Sequence, residues 1–208
     1  MPRGTITAIT RGRGAAKRRR LFIDGDPLFE TSSDVVSRLE LAVGDEWDLT
    51  GLESAMETAS AEIARTRAYS LLGYRDRSPS ELRERLLAEG LAPAAVGDAV
   101  EVLLTDGYLD EVRFAESLAH RLVDGRGRGR EAVRIELEAK GITGPVAREA
   151  MEACCPADGE PARALALARR LAVQVRSADL LASRLVRRGF STSVAVDAAR
   201  RVWEENRT

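Results

Sequence analysis

The sequence predicts an all-α fold of three tandem three-helix repeats in an elongated array, preceded by a small β-containing N-terminal segment. Three observations lead to that expectation. Aromatic residues make up 4% of a chain that is 44% hydrophobic, so its cores must be filled mainly by Leu, Val, Ile and Ala, which suits helices packing on helices. A pattern of apolar positions and a glycine occurs three times, at Gly90, Gly141 and Gly189, spaced 51 and 48 residues apart. Residues that favour strands are concentrated ahead of Leu52, and the pattern from there to the end is helical.

Residues 5–10 and 20–24 alternate or cluster β-favouring side chains, and Gly25-Asp26-Pro27 is turn chemistry, so a hairpin or three-stranded sheet is expected. Gly12 and Gly14 belong to its first loop. Residues 33–41 can follow as a short helix ended near Gly44.

The repeats then align as Leu82, Leu86, Gly90, Leu91 and Ala99; Val133, Leu137, Gly141, Ile142 and Ala150; and Leu181, Leu185, Gly189, Phe190 and Ala198. Apolar residues at i and i+4 mark one helix face, and a glycine four positions later followed by an apolar residue is a left-handed helix cap. Helix starts are signalled too. Ser78-Pro79-Ser80-Glu81 offers an N-cap serine, proline at the first helical position and a capping-box glutamate, and Asp110 and Ser177 are further N-cap candidates. Ala92-Pro93, Thr143 before Pro145, and Ser191 begin the helix after each glycine. A helix precedes each capped one, at about 63–74, 111–123 and 161–175, giving three per unit. The expected division is 1–62, 63–107, 108–155 and 156–208.

Net charge is −1, but it is unevenly distributed. Residues 1–20 hold Arg3, Arg11, Arg13, Lys17, Arg18, Arg19 and Arg20 without an acid, whereas residues 24–62 carry eleven acids against Arg38 alone. Residues 156–208 contain ten arginines against six acids. No apolar run approaches the length of a membrane span and residues 1–14 lack a signal-peptide core, so a cytoplasmic protein is expected. Cys154 and Cys155 are neighbours, too close for an unstrained disulfide, and His120 is the only histidine, so neither a disulfide framework nor a metal site is expected.

Three stretches carry a family resemblance: Arg77-Ser78-Pro79-Ser80-Glu81-Leu82 running to Gly90; Gly107-Tyr108-Leu109-Asp110-Glu111-Val112-Arg113-Phe114-Ala115; and Arg134-Ile135-Glu136-Leu137-Glu138-Ala139-Lys140-Gly141-Ile142. In this order they resemble the RecX family, over roughly residues 63–208, and a basic β-containing arm before the repeats is similar to that of longer members. The resemblance implies a regulator that binds the RecA filament on single-stranded DNA. Such a protein suppresses RecA ATP hydrolysis and strand exchange in recombination, DNA repair and the SOS response. It implies the RecA filament as partner, single-stranded DNA contacted weakly or through the filament, no membrane, no cofactor and a monomeric chain.

Candidate contacts to DNA or partner are Arg18, Arg19 and Arg20; Arg126, Arg128 and Arg130; Arg134 and Lys140; and Arg187 and Arg188. The three basic clusters fall on different units, so a filament-spanning mode would engage them separately. Asp124-Gly125-Arg126-Gly127-Arg128-Gly129-Arg130 superficially resembles a phosphate-cradling loop, yet a helix rather than a buried strand precedes it and its glycine spacing is too narrow for a dinucleotide motif. It is either a flexible basic connector or a contact to phosphates or an acidic surface. Arg18, Arg19 and Arg20 otherwise read as a solvated strand end, and Arg187 and Arg188 as cations suited to a helix C-terminus. His120 has no evident carboxylate or nucleophile partner.

An enzyme is not expected, because acids and arginines are mixed along helix faces and no P-loop, Gly-x-Ser-x-Gly or metal-ligand spacing occurs. A helix-turn-helix or winged-helix DNA reader is the main alternative, since residues 80–110 have that rhythm. Its recognition helix would span 93–104, whose charges are only Asp98 and Glu101, unfavourable against phosphate. A general helical-repeat scaffold remains a further alternative.

Overall fold

The computed structural model describes residues 2–206. The chain divides into two compact units, Met1–Leu109 and Asp110–Thr208.

The first unit begins with strands β1 (Arg3–Arg11), β2 (Arg18–Ile23) and β3 (Asp26–Ser32), helix α1 (Ser33–Arg38) and a short strand β4 (Glu46–Asp48). The antiparallel sheet has the order β3-β2-β1-β4, so the expected hairpin or three-stranded sheet gains a fourth strand. Three residues are too few to show alternation, which is why Glu46-Trp47-Asp48 carries no strand signal. The β2–β3 turn is Asp24-Gly25, both at positive φ (53° and 94°), the backbone that matches strand twist in a two-residue hairpin. Ile6, Leu21 and Ile23 from the sheet pack with Val35 of α1 and with Leu52, Met56 and Ala59.

Those last three residues belong to α2 (Leu49–Tyr74), a single helix of 26 residues. The helix expected at 63–74 therefore starts at Leu49, where the Asp48 carboxylate accepts from the Gly51 N–H as N-cap. No Pro interrupts it near 62, and Ala59, Ala61, Glu62, Ala64 and Arg65 are good helix formers across that point. Its second half packs with α3 (Pro79–Ala88) and α4 (Pro93–Thr105) around Ala64, Ala68, Leu71, Leu82, Leu86, Leu91, Val100 and Leu103. Ser78 and Glu81 form the expected capping box, with Pro79 at the first helical position.

The second unit contains α5 (Glu111–His120), a π turn (Arg121–Gly125), α6 (Arg130–Ala139) and α7 (Gly144–Cys154) around one core. It continues with α8 (Glu160–Ala172), α9 (Ala178–Arg187) and α10 (Thr192–Glu205) around another. Asp110 and Ser177 cap α5 and α9 through their side chains. The repeated positions behave alike in both units: Leu82, Leu86, Val133, Leu137, Leu181 and Leu185 are all 0% exposed, and Leu91, Ile142 and Phe190 after the glycines are buried. Each apolar pair is thus the ridge by which the middle helix of a triplet seals its core, at about 1.5–3 kcal/mol of transfer free energy per side chain. Among the described residues no helix is long and apolar enough to cross a membrane.

Candidate nucleic-acid interface

The Gly-Arg segment is held at both ends by its backbone. The Gly127 N–H donates to Val123 O and the Arg128 N–H to Leu122 O, both at 3.0 Å, with Gly127 at φ 59°. These bonds reach four and six residues back, one residue wider than a Schellman pair, as the preceding π turn requires; they satisfy carbonyls at the end of the helix and place glycine at the left-handed position. Two residues later Gly129 is the N-cap of α6 and has no side chain with which to satisfy the helix's first donors.

Those donors are met by the end of α9 instead. The Gly129 N–H donates to Arg188 O at 2.8 Å and the Glu131 N–H to Gly189 O at 3.0 Å. Unpaired N–H groups at one helix start thereby meet unpaired carbonyls at another helix end, which also sets opposite ends of two helix dipoles together. The approach is close enough that a Cβ on Gly129 would overlap the Gly189–Phe190 backbone, and one on Gly189 would overlap Ala132. Arg188 closes the contact: its guanidinium Nη1 donates to Arg126 O at 2.8 Å.

The consequence for the expected sites is specific. The segments that carry Arg126, Arg128 and Arg130 and Arg187 and Arg188, expected to act separately, are joined through their backbones in the second unit. Arg188 spends its guanidinium on the loop backbone. Arg130 is likewise engaged, donating to Cys155 O at 2.6 Å and to Glu152 at 2.7 Å. Among the described residues the side chains of Arg126, Arg128 and Arg187 make no hydrogen bond or ion pair, and Arg126 and Arg187 are exposed. These three guanidiniums are what the surface offers to an anion.

The remaining candidates are more constrained. Arg134 sits on α6 between Glu131 and Glu138, one turn to either side, and both carboxylates hold its guanidinium firmly in the charged form. Glu131 in turn is pulled below the ordinary carboxylate range by its hydrogen bonds from Arg134. Lys140 is the partly buried C-cap residue of α6. In the first unit Arg18 and Arg20 both face Glu30 across the β2–β3 ladder, and the Arg20 hydrogen bond lowers the Glu30 pKa. Arg19 donates to the carbonyls of Ala16 and Arg18. Arg18 and Arg20 thus share one carboxylate on the neighbouring strand, a pairing that sequence distance conceals, while Arg19 has no acidic partner among the described residues.

Two features are missed in the sequence reading, although the i,i+4 spacing of His120 with Asp124 and of Arg85 with Glu89 is there to be read. His120 does have a carboxylate partner, Asp124, one turn away at 3.2 Å across the π turn. Arg67 pairs bidentately with the buried Glu89 across 22 residues, and Arg85 also reaches that carboxylate. Cys155 is buried, and burial raises its thiol pKa, so it is a packing residue rather than a ready nucleophile.

Residues 64–103 match the family model described as "RecX, first three-helix domain" and residues 110–151 the one described as "RecX, second three-helix domain". A regulatory protein RecX of Chromohalobacter salexigens is 37% identical over 146 residues, covering 69% of this chain and 95% of that protein. The chain belongs to the RecX family. A Bacillus licheniformis RecX is 26% identical over 207 residues, 97% of this chain and 78% of that protein, so the likeness extends through the N-terminal segment. With the Bacillus velezensis RecX the match spans 56% of the relative's length. In fold, a RecX crystal structure superposes with a TM-score of 0.60 at 21% identity, covering 92% of this chain and 96% of the other. The RecX of Lactobacillus salivarius gives 0.61 at 16% identity over 70% and 97%. The helix-turn-helix alternative finds little in α4, whose buried side is Ala95, Val96, Ala99, Val100 and Leu103 and whose only charged side chains are the acids Asp98 and Glu101.

Proposed function

We propose that this RecX-family chain is a non-enzymatic cytoplasmic monomer that binds the RecA filament on single-stranded DNA and lowers its ATPase and strand-exchange activity. In this reading Arg126, Arg128 and Arg187 face phosphate or an acidic patch of the filament. The observation that carries it is the joining of the 126–130 loop to the end of α9, which leaves these three arginines exposed or half-exposed and without partners on one scaffolded surface. A net charge of −1 cannot draw the whole molecule to nucleic acid, so such contacts are local. Protein contacts then supply most of the affinity for the filament, and naked single-stranded DNA is bound weakly and with steep salt dependence. In this reading the chain is built of the segments 1–62, 63–107, 108–155 and 156–208, and the last two carry the surface.

The test is the DNA-dependent ATPase rate of RecA with increasing amounts of this protein at low salt, alongside strand exchange. Both should fall to a plateau. Rates unchanged at saturating protein would overturn the proposal.

A further inference from the structure

Strand β1 is paired on its outer side over its first half only. Arg3, Gly4 and Thr5 face β4, and Ile6 exchanges hydrogen bonds with the residues before that strand, its N–H donating to Asp45 O at 2.9 Å and its carbonyl accepting from the Gly44 N–H at 2.8 Å. Beyond Ile6 no described residue pairs with this edge. On the inner side the Gly12 N–H donates to Arg18 O, and hydrogen-bonded positions alternate along an antiparallel ladder. Thr10 and Ala8 therefore face β2, while the N–H and C=O groups of Ile9 and Arg11 point outward.

Natural sheets blunt such edges. The other edge, β3, follows the rule, with Pro27, a register irregularity against β2 and the carboxylates of Asp26 and Glu30. The free half of β1 has neither proline nor acid, and the register irregularity of this strand, between Ile6 and Ala8, lies at its start. A second observation says what it lacks: Arg11 stands directly opposite Arg19 in a non-hydrogen-bonded pair, the arrangement that brings side chains closest, and like charges there are unfavourable. Arg11 and Arg13 are exposed and form no ion pair among the described residues. Arg19 turns to backbone carbonyls for want of a carboxylate.

We propose that the free half of the β1 edge, residues 8–11, accepts an extended acidic peptide segment of a partner protein by strand addition, with its carboxylates against Arg11, Arg13 and Arg19. A peptide backbone answers both the outward N–H and the outward C=O groups. A nucleic-acid backbone supplies acceptors alone and would leave the two carbonyls unmatched. This inference is independent of the filament reading, since it concerns another surface.

The probe is a fluorescent peptide of alternating Val and Glu, titrated into the full chain at low salt and followed by anisotropy and by amide hydrogen exchange. Binding should slow exchange at Ile9 and Arg11. Arg11→Ala should weaken binding and flatten its salt dependence. Arg11→Pro, which also removes one outward N–H without touching the β2 ladder, should weaken it further, and a peptide with proline at every second position should bind the wild-type chain about tenfold less tightly. The wild-type exchange measurement stands even if the proline variant misfolds. Unchanged exchange at Ile9 and Arg11 under saturating peptide overturns the proposal, as does equal protection by a single-stranded oligonucleotide of matching charge.

Discussion

Replacing Gly129 with alanine isolates the contact that holds the basic loop on the end of α9. Gly129 has φ −79°, a conformation any residue adopts, so the substitution adds no backbone strain. The new methyl must instead push the loop off the Gly189–Phe190 backbone, and three hydrogen bonds depend on that approach: Gly129 N–H to Arg188 O, Glu131 N–H to Gly189 O, and the Arg188 guanidinium to Arg126 O. At about 1 kcal/mol net for each, partly recovered by water, the expected destabilisation is about 2–3 kcal/mol. Gly189→Ala meets the same clash from the other side and adds the left-handed penalty at φ 90°, for a total of about 3–5 kcal/mol. Gly144→Ala is the control: its φ is 63° but nothing lies within 4 Å of the added methyl, so it should cost only about 1–2 kcal/mol. Urea unfolding followed by far-ultraviolet circular dichroism gives the three values, and hydrogen exchange at the Glu131 amide reports the contact directly. A Gly129→Ala protein as stable as wild type, with that amide still protected, would refute the reasoning.

Salt titrations on single-stranded DNA should show the slope flattening by up to about 0.7 for each phosphate no longer engaged when Arg126, Arg128 and Arg187 are changed to alanine, and no flattening when Arg130 is. Arg130→Ala should instead lower stability by about 1–3 kcal/mol in thermal or urea unfolding, because Cys155 O, held in a buried residue, is deprived of its charged donor. Truncation after Cys155 removes the acceptors of the Gly129 and Glu131 N–H groups, so the shortened protein should unfold at a lower temperature; an unchanged midpoint would count against the pairing of α6 with α9. The Glu30, Glu131 and Glu205 carboxyls are each depressed by hydrogen bonds from Arg20, Arg134 and Arg169. Whatever these pairs contribute is complete above the unfolded glutamate pKa of about 4.3 and fades as pH falls through the lower folded values, so carboxyl titration by NMR should place all three midpoints below 4.3.

Legibility followed the range of the interactions. Repeated Leu and Ala positions are consequences of local helix geometry and lie in the cores, and the repeated glycines end helices at positive φ; capping by Ser78, Asp110 and Ser177 is likewise decided within three residues. The true start of α2 is hidden because amphipathic spacing does not mark where a helix changes the core it packs on. Side-chain partners across a ladder or between triplets, such as Arg20 with Glu30 or Arg188 with Arg126, have no periodic signature. The sequence therefore nominates which arginines exist near the candidate surface. Only tertiary pairing says that Arg188 and Arg130 are anchors while Arg126, Arg128 and Arg187 are left for a ligand.

The uninterrupted α2 has a consequence for how the first unit can come apart. Leu52, Met56 and Ala59 belong to the sheet's core, Ala64, Ala68 and Leu71 to that of the helical triplet, and Ile63 packs against both. Helix nucleation is costly and propagation cheap, so the shared helix starts once and serves two cores, and melting either one frays a rod on which the other depends. Removing residues 1–62 would leave a stub of about twelve residues, near the length at which an isolated helix is marginal, with the side chain of Ile63 newly wetted at its end. A sequence written in interchangeable repeats thus yields a first unit that should lose its structure in one cooperative step.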